Sequence, residues 1–326
     1  MLMVIFGAGA SFDSSADYPP SKSIEERPPL ANDLFANTVF NRRFRNEFPQ
    51  FLELIPELLP KPGRSIEDVL QRLQHEGARY PRRLQQLTAI RYYLQSLLSS
   101  AVATWLNTTG EATNYRTLID QIENHRKGSE PLCLVTFNYD TLLESALKAQ
   151  LGVSFDVMAD YVCHPEVKLF KLHGSVDWGR PLGSAPTTLS GTPDSIIKEI
   201  ERIGISDQIV TTASAPGMAL YPAIAIPVTE KQAFECPLDH VEELKKLIPR
   251  VTKVITIGWR GMEGHFLNLL RGLPPAHFVT VAGSVDEATE TLDRLRSLSV
   301  PVRFHELFAG FTDTVGDRKL DLILAS

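Results

Sequence analysis

Three short stretches of the chain carry groups able to handle a charged, hydroxylated small molecule: Gly7-Ala8-Gly9-Ala10-Ser11, Thr136-Phe137-Asn138-Tyr139-Asp140 and Lys171-Leu172-His173-Gly174-Ser175. Glycines two apart after an apolar run let the backbone turn tightly and approach a pyrophosphate, whose charge is met by backbone N–H groups and a following helix N-terminus. The same GxG is equally compatible with a plain turn. A carboxamide and a carboxylate two residues apart, Asn138 and Asp140, can orient hydroxyl groups or a water beside a ligand. Alternatively, Asn138 caps the next helix and Asp140 favours its N-terminal dipole. A lone histidine is more often structural than catalytic. His173, however, is followed at once by glycine and closes an apolar run as the other two stretches do, which favours acid–base use.

These groups need elements to hold them at one place. Residues 1–6, MLMVIF, are a continuous apolar run ending in Gly7, as expected of a buried parallel strand. Leu132–Phe137, Val167–Leu172, Val254–Ile257 and Phe278–Val281 are further runs, ending in NYD, HGS, Gly258 and AGS. Helical patterns follow over Thr141–Leu151 and Val285–Leu298. The expected fold is α/β, a Rossmann-like doubly wound parallel sheet with its functional groups along the C-terminal edge of the strands.

Residues 30–127 read instead as a helical insertion after the first strand, within a single domain spanning 1–326, and as a candidate surface for an oligomer or a partner. Ile66, Val69, Leu70 and Leu73 fall at i, i+3, i+4 and i+7 behind a capping Ser65, and Leu84 to Trp105 continue an apolar stripe. Asp13–Arg27 and the Gly179–Pro193 stretch read as loops, and Asp194–Ile203 as a helix. The third glycine of GxGxxG is missing, and Glu25 and Glu26 lie in a proline-rich stretch. A hydride-transfer enzyme is therefore disfavoured.

The net charge of −6 gives no basic excess suited to a phosphate backbone, so no direct nucleic-acid partner is expected. Arg42, Arg43 and Arg45, and Arg79, Arg82 and Arg83, read as solvated helix faces. The three cysteines, Cys133, Cys163 and Cys236, form no CxxC pair, which points to a reducing compartment and away from a structural zinc; no metal is expected. Neither a signal peptide nor an apolar segment long enough to span a bilayer is visible. No membrane association is expected, and the cytoplasm is the default location.

Taken in order, VIFGAGAS, LVTFNYDTLLE, KLHGSVDW, IGWRGMEGHFLNLL and GFTDTV resemble the sirtuin family, and more closely the bacterial sirtuin-like NAD hydrolases of antiphage defence systems. The likeness covers the sheet at both ends of the chain and little of the helical insertion or of residues 180–250. Two departures separate the chain from the protein deacylases: it has no paired-cysteine zinc module, and ERPPLANDLF, Glu26 to Phe35, stands where they carry Pro-Asp-Phe-Arg.

The resemblance implies NAD+ as a substrate, cleaved to nicotinamide and ADP-ribose or a cyclised form. It further implies a toxic effector of abortive infection, in a homo- or hetero-oligomer, restrained until a co-encoded regulatory or sensor protein acts. Asn138 would bind the nicotinamide ribose or position the water, with His173 as general base; Asp140 would hold the nicotinamide carboxamide or organise the pocket. Gly7, Ala8, Gly9 and Ser11 would cradle the pyrophosphate, and Gly258, Trp259, Gly283 and Ser284 would line the adenosine side. Trp259 either stacks on the adenine or is a core residue. Asp33 and His265 are lesser candidates. A protein deacylase and a non-catalytic NAD or ADP-ribose sensing subunit are the alternatives.

Overall fold

The computed structural model describes residues 1–22, 24, 26–36, 47–59, 61, 63, 65–77, 79–126, 131–182, 200, 204–228 and 234–325. The strands are β1 (Leu2–Phe6), β2 (Leu132–Thr136), β3 (Val167–Lys171), β4 (Gly174–Pro181), β5 (Val210–Thr211), β6 (Leu220–Ile224), β7 (Lys253–Ile257), β8 (Ala276–Ala282) and β9 (Val302–Ala309). The first half of the chain carries helices α1 (Ala8–Phe12), α2 (Ile55–Leu58), α3 (Ile66–Gly77), α4 (Pro81–Thr109), α5 (Asn114–His125), α6 (Leu142–Leu151) and α7 (Asp160–Cys163). The second half adds α8 (Leu238–Leu247), α9 (Gly264–Leu270), α10 (Val285–Ser297), α11 (Phe311–Gly316) and α12 (Asp321–Ala325).

Six strands pair in the order β3-β2-β1-β7-β8-β9, every neighbour parallel. This is the expected doubly wound sheet. Its inner strands are buried nearly throughout, because helices cover both faces and no strand position is left for water. The chain runs outward from β1 to β3 and then returns to β7 on the other flank of β1. The switch point thus lies between β1 and β7, where an open sheet leaves a crevice beyond its strand ends.

Two elements differ from the expectation. The sixth strand, β9, is an edge strand with no fully buried residue, and its mixed sequence VRFHELFA lacks the continuous apolar run that marks the others. Gly179, Arg180 and Pro181 belong to β4 rather than to a loop. β4 pairs antiparallel with β5 and β6 in a second, three-stranded sheet, which residues 180–250 gave no clear pattern for. The helix expected over Asp194–Ile203 lies outside the described residues, Ile200 excepted.

The helical segment after β1 divides between two cores. Leu34 to Ala101, including Leu70, Leu73, Tyr93 and Leu97, pack in a separate apolar cluster that also takes Val176, Ile224, Ile226 and Val228 from the region of the small sheet. From Val102 onward, Trp105, Tyr115, Leu118, Ile119 and Ile122 join the core of the large sheet. α3 starts as its sequence dictates: Ser65 Oγ accepts from the N–H groups of Glu67 at 3.0 Å and Asp68 at 3.4 Å, and Ile66, Val69, Leu70 and Leu73 are its buried face. Among the described residues, no helix is long and apolar enough to cross a membrane.

Candidate active site

At the switch point the backbone of the GAGAS turn meets the end of β7 without side chains between them. Gly7 N donates to Ile257 O at 3.0 Å and Gly9 N to Gly258 O at 3.2 Å. A Cβ on Gly7 would lie 2.4 Å from Gly258 O, and one on Gly258, at φ +60, would lie 2.2 Å from Ala10 N. The glycines are therefore required by the close approach of β1 and β7. The N–H groups of Gly7 and Gly9 are occupied by the carbonyls of Ile257 and Gly258, leaving exposed Ala8 at the crest of the turn.

Behind the turn lies a buried polar hub. Asn138, at the tip of β2 and 7% exposed, directs Nδ2 at Gly7 O (2.9 Å), Ser11 Oγ (3.0 Å) and Tyr115 OH (3.3 Å). Because a carbonyl only accepts, Gly7 O fixes which end of the amide faces inward. Ser11 Oγ donates to Asp140 Oδ2 at 2.7 Å and lies 2.9 Å from Tyr115 OH. With its one proton directed at the carboxylate, Ser11 must accept from both Asn138 and Tyr115. The Ser11 hydroxyl thus faces the hub. Asp140 Oδ1 accepts from Leu142 N at 3.1 Å, so both carboxylate oxygens are engaged in organising the site. Among the described residues nothing donates to Asn138 Oδ1.

His173 comes to the same edge of the sheet because β3 runs alongside β2: Leu172 N donates to Thr136 O at 3.1 Å. Its ring, 4% exposed, lies 4.8 Å from that of Phe137 and 6.4 Å from that of Tyr139, the two residues flanking Asn138. Gly174 is obligatory at φ +81, since a Cβ there would sit 1.9 Å from Ala223 O of β6. Beneath the hub, Lys171 is fully buried, pairs with Glu144 Oε1 at 2.8 Å and donates to Asp140 O. Burial raises the Glu144 pKa against the pull of Lys171, and burial with the nearby Asp140 charge carries the Tyr115 phenol well above its ordinary value.

On the β7 side, Trp259 is 3% exposed, stacked on Phe137 at 5.7 Å and donating from Nε1 to Glu263 Oε2 at 2.6 Å. It packs as part of the core. Gly283 and Ser284 stand at the end of β8 on the same edge, where Ser284 Oγ accepts from Glu287 N (3.2 Å) and Glu287 Oε2 from Gly283 N (3.1 Å), capping α10. Asp33 lies exposed in a short 3-10 turn and His265 exposed on α9, facing Phe234. Neither joins the hub.

Several participants carried no sequence signal. Tyr115 lies in the first turn of α5, near the end of the insertion. Asp13 accepts from Phe311 N, Thr312 N and Thr312 Oγ1, tying the turn to the GFTDTV segment. Trp105 Nε1 donates to Ser14 Oγ, and Asn114 Nδ2 to Asp13 O. Arg27 Nη2 donates to Tyr18 O and Pro19 O, closing the 13–27 loop. Such long-range partners have no local spacing by which to recognise them. Among the described residues, no group of three or more His, Cys, Asp or Glu is placed to hold a metal.

No protein-family model matches the chain, and no curated protein sequence does. Solved structures similar to it are sirtuins. One is a Sir2 protein with the inhibitor EX-527, 2'-O-acetyl-ADP-ribose and a deacetylated p53 peptide, 14% identical, covering 100% of this chain and 95% of the other at a TM-score of 0.40. A second is a Sir2 homologue mutant with 2'-O-acetyl-ADP-ribose, 13% identical over 100% and 93% of the two chains, TM-score 0.48. A third is a Sir2 complex with a p53 peptide and NAD+, 14% identical over 100% and 94%, TM-score 0.39. At these identities and TM-scores no residue role is carried over from them.

Proposed function

We propose that this chain hydrolyses NAD+ at the nicotinamide–ribose bond, releasing nicotinamide and ADP-ribose or a cyclised ADP-ribose. The observation that carries the reading is the amide of Asn138, held at the strand ends by Gly7 O and Ser11 Oγ with no described residue donating to its Oδ1, while His173 ends β3 at the same sheet edge and packs on Phe137, the residue before Asn138. Departure of nicotinamide leaves an oxocarbenium-like ribose, so the site must hold the ribose hydroxyls and deliver a water to the anomeric carbon. The nicotinamide is already cationic and leaves without a strong acid.

In this reading Asn138 Oδ1 accepts from a ribose hydroxyl or from the attacking water, and His173 takes a proton from one of them. Asp140 acts through Ser11, holding the hub in place. The pyrophosphate crosses the turn at Ala8, with the adenosine toward Gly258, Gly283 and Ser284. Hydrolysis is preferred to protein deacylation because the paired-cysteine module of the deacylases has no counterpart in a sequence with three separated cysteines. Unregulated NAD loss would kill the host cell. The activity is accordingly that of a cytoplasmic effector of antiphage abortive infection, held inactive until a co-encoded partner or oligomer assembly releases it.

The test is nicotinamide release from NAD+ by the purified chain, alone and with the proteins encoded beside it, with products separated by chromatography. His173→Ala and Asn138→Ala are expected to lower the rate by roughly 10²- to 10⁴-fold with the fold intact. Turnover retained in either variant would overturn the site assignment, and turnover that requires an acylated peptide would establish the deacylase instead.

A further inference from the structure

Asn138 can serve a ribose only if its amide keeps one orientation, and its partners show how that is achieved. One Nδ2 hydrogen is directed at Gly7 O; the other is shared between Ser11 Oγ and Tyr115 OH. Ser11 has one proton, already given to Asp140 Oδ2. The 2.9 Å contact between Ser11 Oγ and Tyr115 OH is then a bond from Tyr115 to Ser11, which leaves the phenol lone pairs facing Asn138. A chain of donors, Tyr115 to Ser11 to Asp140, is thereby set in one direction. It stays so because the phenol is 1% exposed and its pKa is raised by burial and Asp140, so it does not ionise near neutral pH.

From this chain of bonds we infer that Tyr115 is a positioning residue for the proposed reaction: its hydroxyl locks the Asn138 amide with Oδ1 toward the reacting ribose. The inference rests on the NAD hydrolase reading for its catalytic consequence, though not for the hydrogen-bond geometry. Tyr115 comes from neither the glycine turn nor the strand tips. It stands at the start of α5, one residue after Asn114, whose N–H donates to Ser14 O at 2.7 Å and whose side chain donates to Thr312 Oγ1 at 2.8 Å. Its ring packs 5.2 Å from Phe6 and 5.7 Å from Phe311, so the hydroxyl is delivered by a rigid base. The last helix of the insertion, α5, therefore supplies a component of the proposed reaction centre.

Tyr115→Phe removes the hydroxyl and keeps those ring contacts. Tyr93→Phe is the control, since Tyr93 OH donates to Leu34 O at 2.7 Å in the other core, away from the hub. The side-chain amide protons of Asn138, assigned by their loss in Asn138→Asp, are followed by NMR hydrogen exchange in parallel with the kinetics. Expected for Tyr115→Phe are faster exchange of those protons and a kcat for nicotinamide release lower by roughly tenfold to a hundredfold, with KM and NAD+ affinity changed less than about threefold. Tyr93→Phe should show neither effect.

Unchanged Asn138 exchange, or a kcat no lower than in Tyr93→Phe, would overturn the inference. Were Tyr115→Phe not to fold, 3-fluorotyrosine at position 115 keeps the hydroxyl and alters its acidity. It should shift the Asn138 amide resonance, and an unshifted resonance would count against the inference. A wild-type chain that releases no nicotinamide under any condition would refute the hydrolase reading, while the exchange data would still decide the positioning role.

Discussion

At the edge of the large sheet, polar side chains are buried against one another; in the core of the helical insertion the Tyr93 hydroxyl is buried among aromatic rings. Asn138, Ser11, Asp140 and Tyr115 share four hydrogen-bond contacts, with the Lys171–Glu144 ion pair below them. Tyr93 instead has Phe35, Phe48 and Phe51 around it and its hydroxyl on a backbone carbonyl. A buried polar network requires every member to be satisfied and fixes one arrangement, whereas apolar packing stabilises several. Replacing a buried ion pair by apolar groups of similar volume is often neutral or stabilising, so its presence under the hub fits a site kept for geometry more than for stability.

The contrast can be broken most severely at Gly258. Gly258→Ala combines a left-handed backbone at φ +60 with a Cβ 2.2 Å from Ala10 N, and should cost about 2–6 kcal/mol while separating β1 from β7. The checks are denaturant unfolding and NAD+ affinity, and both should fall together. Next is Leu70→Ala, at a fully buried position of the insertion core, expected to cost about 2–5 kcal/mol. NAD+ affinity per folded molecule should stay unchanged, so loss of affinity in the fully folded variant would show that the two regions are not separable. The smallest effect is expected at Gly110, left-handed at φ +56 but with nothing within 4 Å of an added Cβ; Gly110→Ala should cost only about 1 kcal/mol in the same unfolding experiment. Equal effects at Gly110 and Gly258 would remove the argument for a close β1–β7 approach.

The strands of the inner sheet were legible because each is an apolar run ending in small or polar residues, and the cap at Ser65 because capping is local. β9 was not, since an edge strand alternates with solvent and its period is confused by Arg303, His305 and Glu306. Asn138, Asp140 and His173 could be named from their places at run ends. What the sequence could not show was direction: that Ser11 donates to Asp140, that Gly7 and Gly9 are required by Gly258, and that Tyr115 closes the hub from 104 residues beyond Ser11. Those depend on contacts made only once the sheet is assembled.

The most direct test of the central claim is the crystal structure of the His173→Ala variant with NAD+. The account predicts the dinucleotide across the β1–β7 switch point, its pyrophosphate over Ala8 and Asn138 Oδ1 within hydrogen-bond reach of the nicotinamide ribose or of a water beside its anomeric carbon. NAD+ bound elsewhere, or a ribose that meets no atom of Asn138, would contradict it.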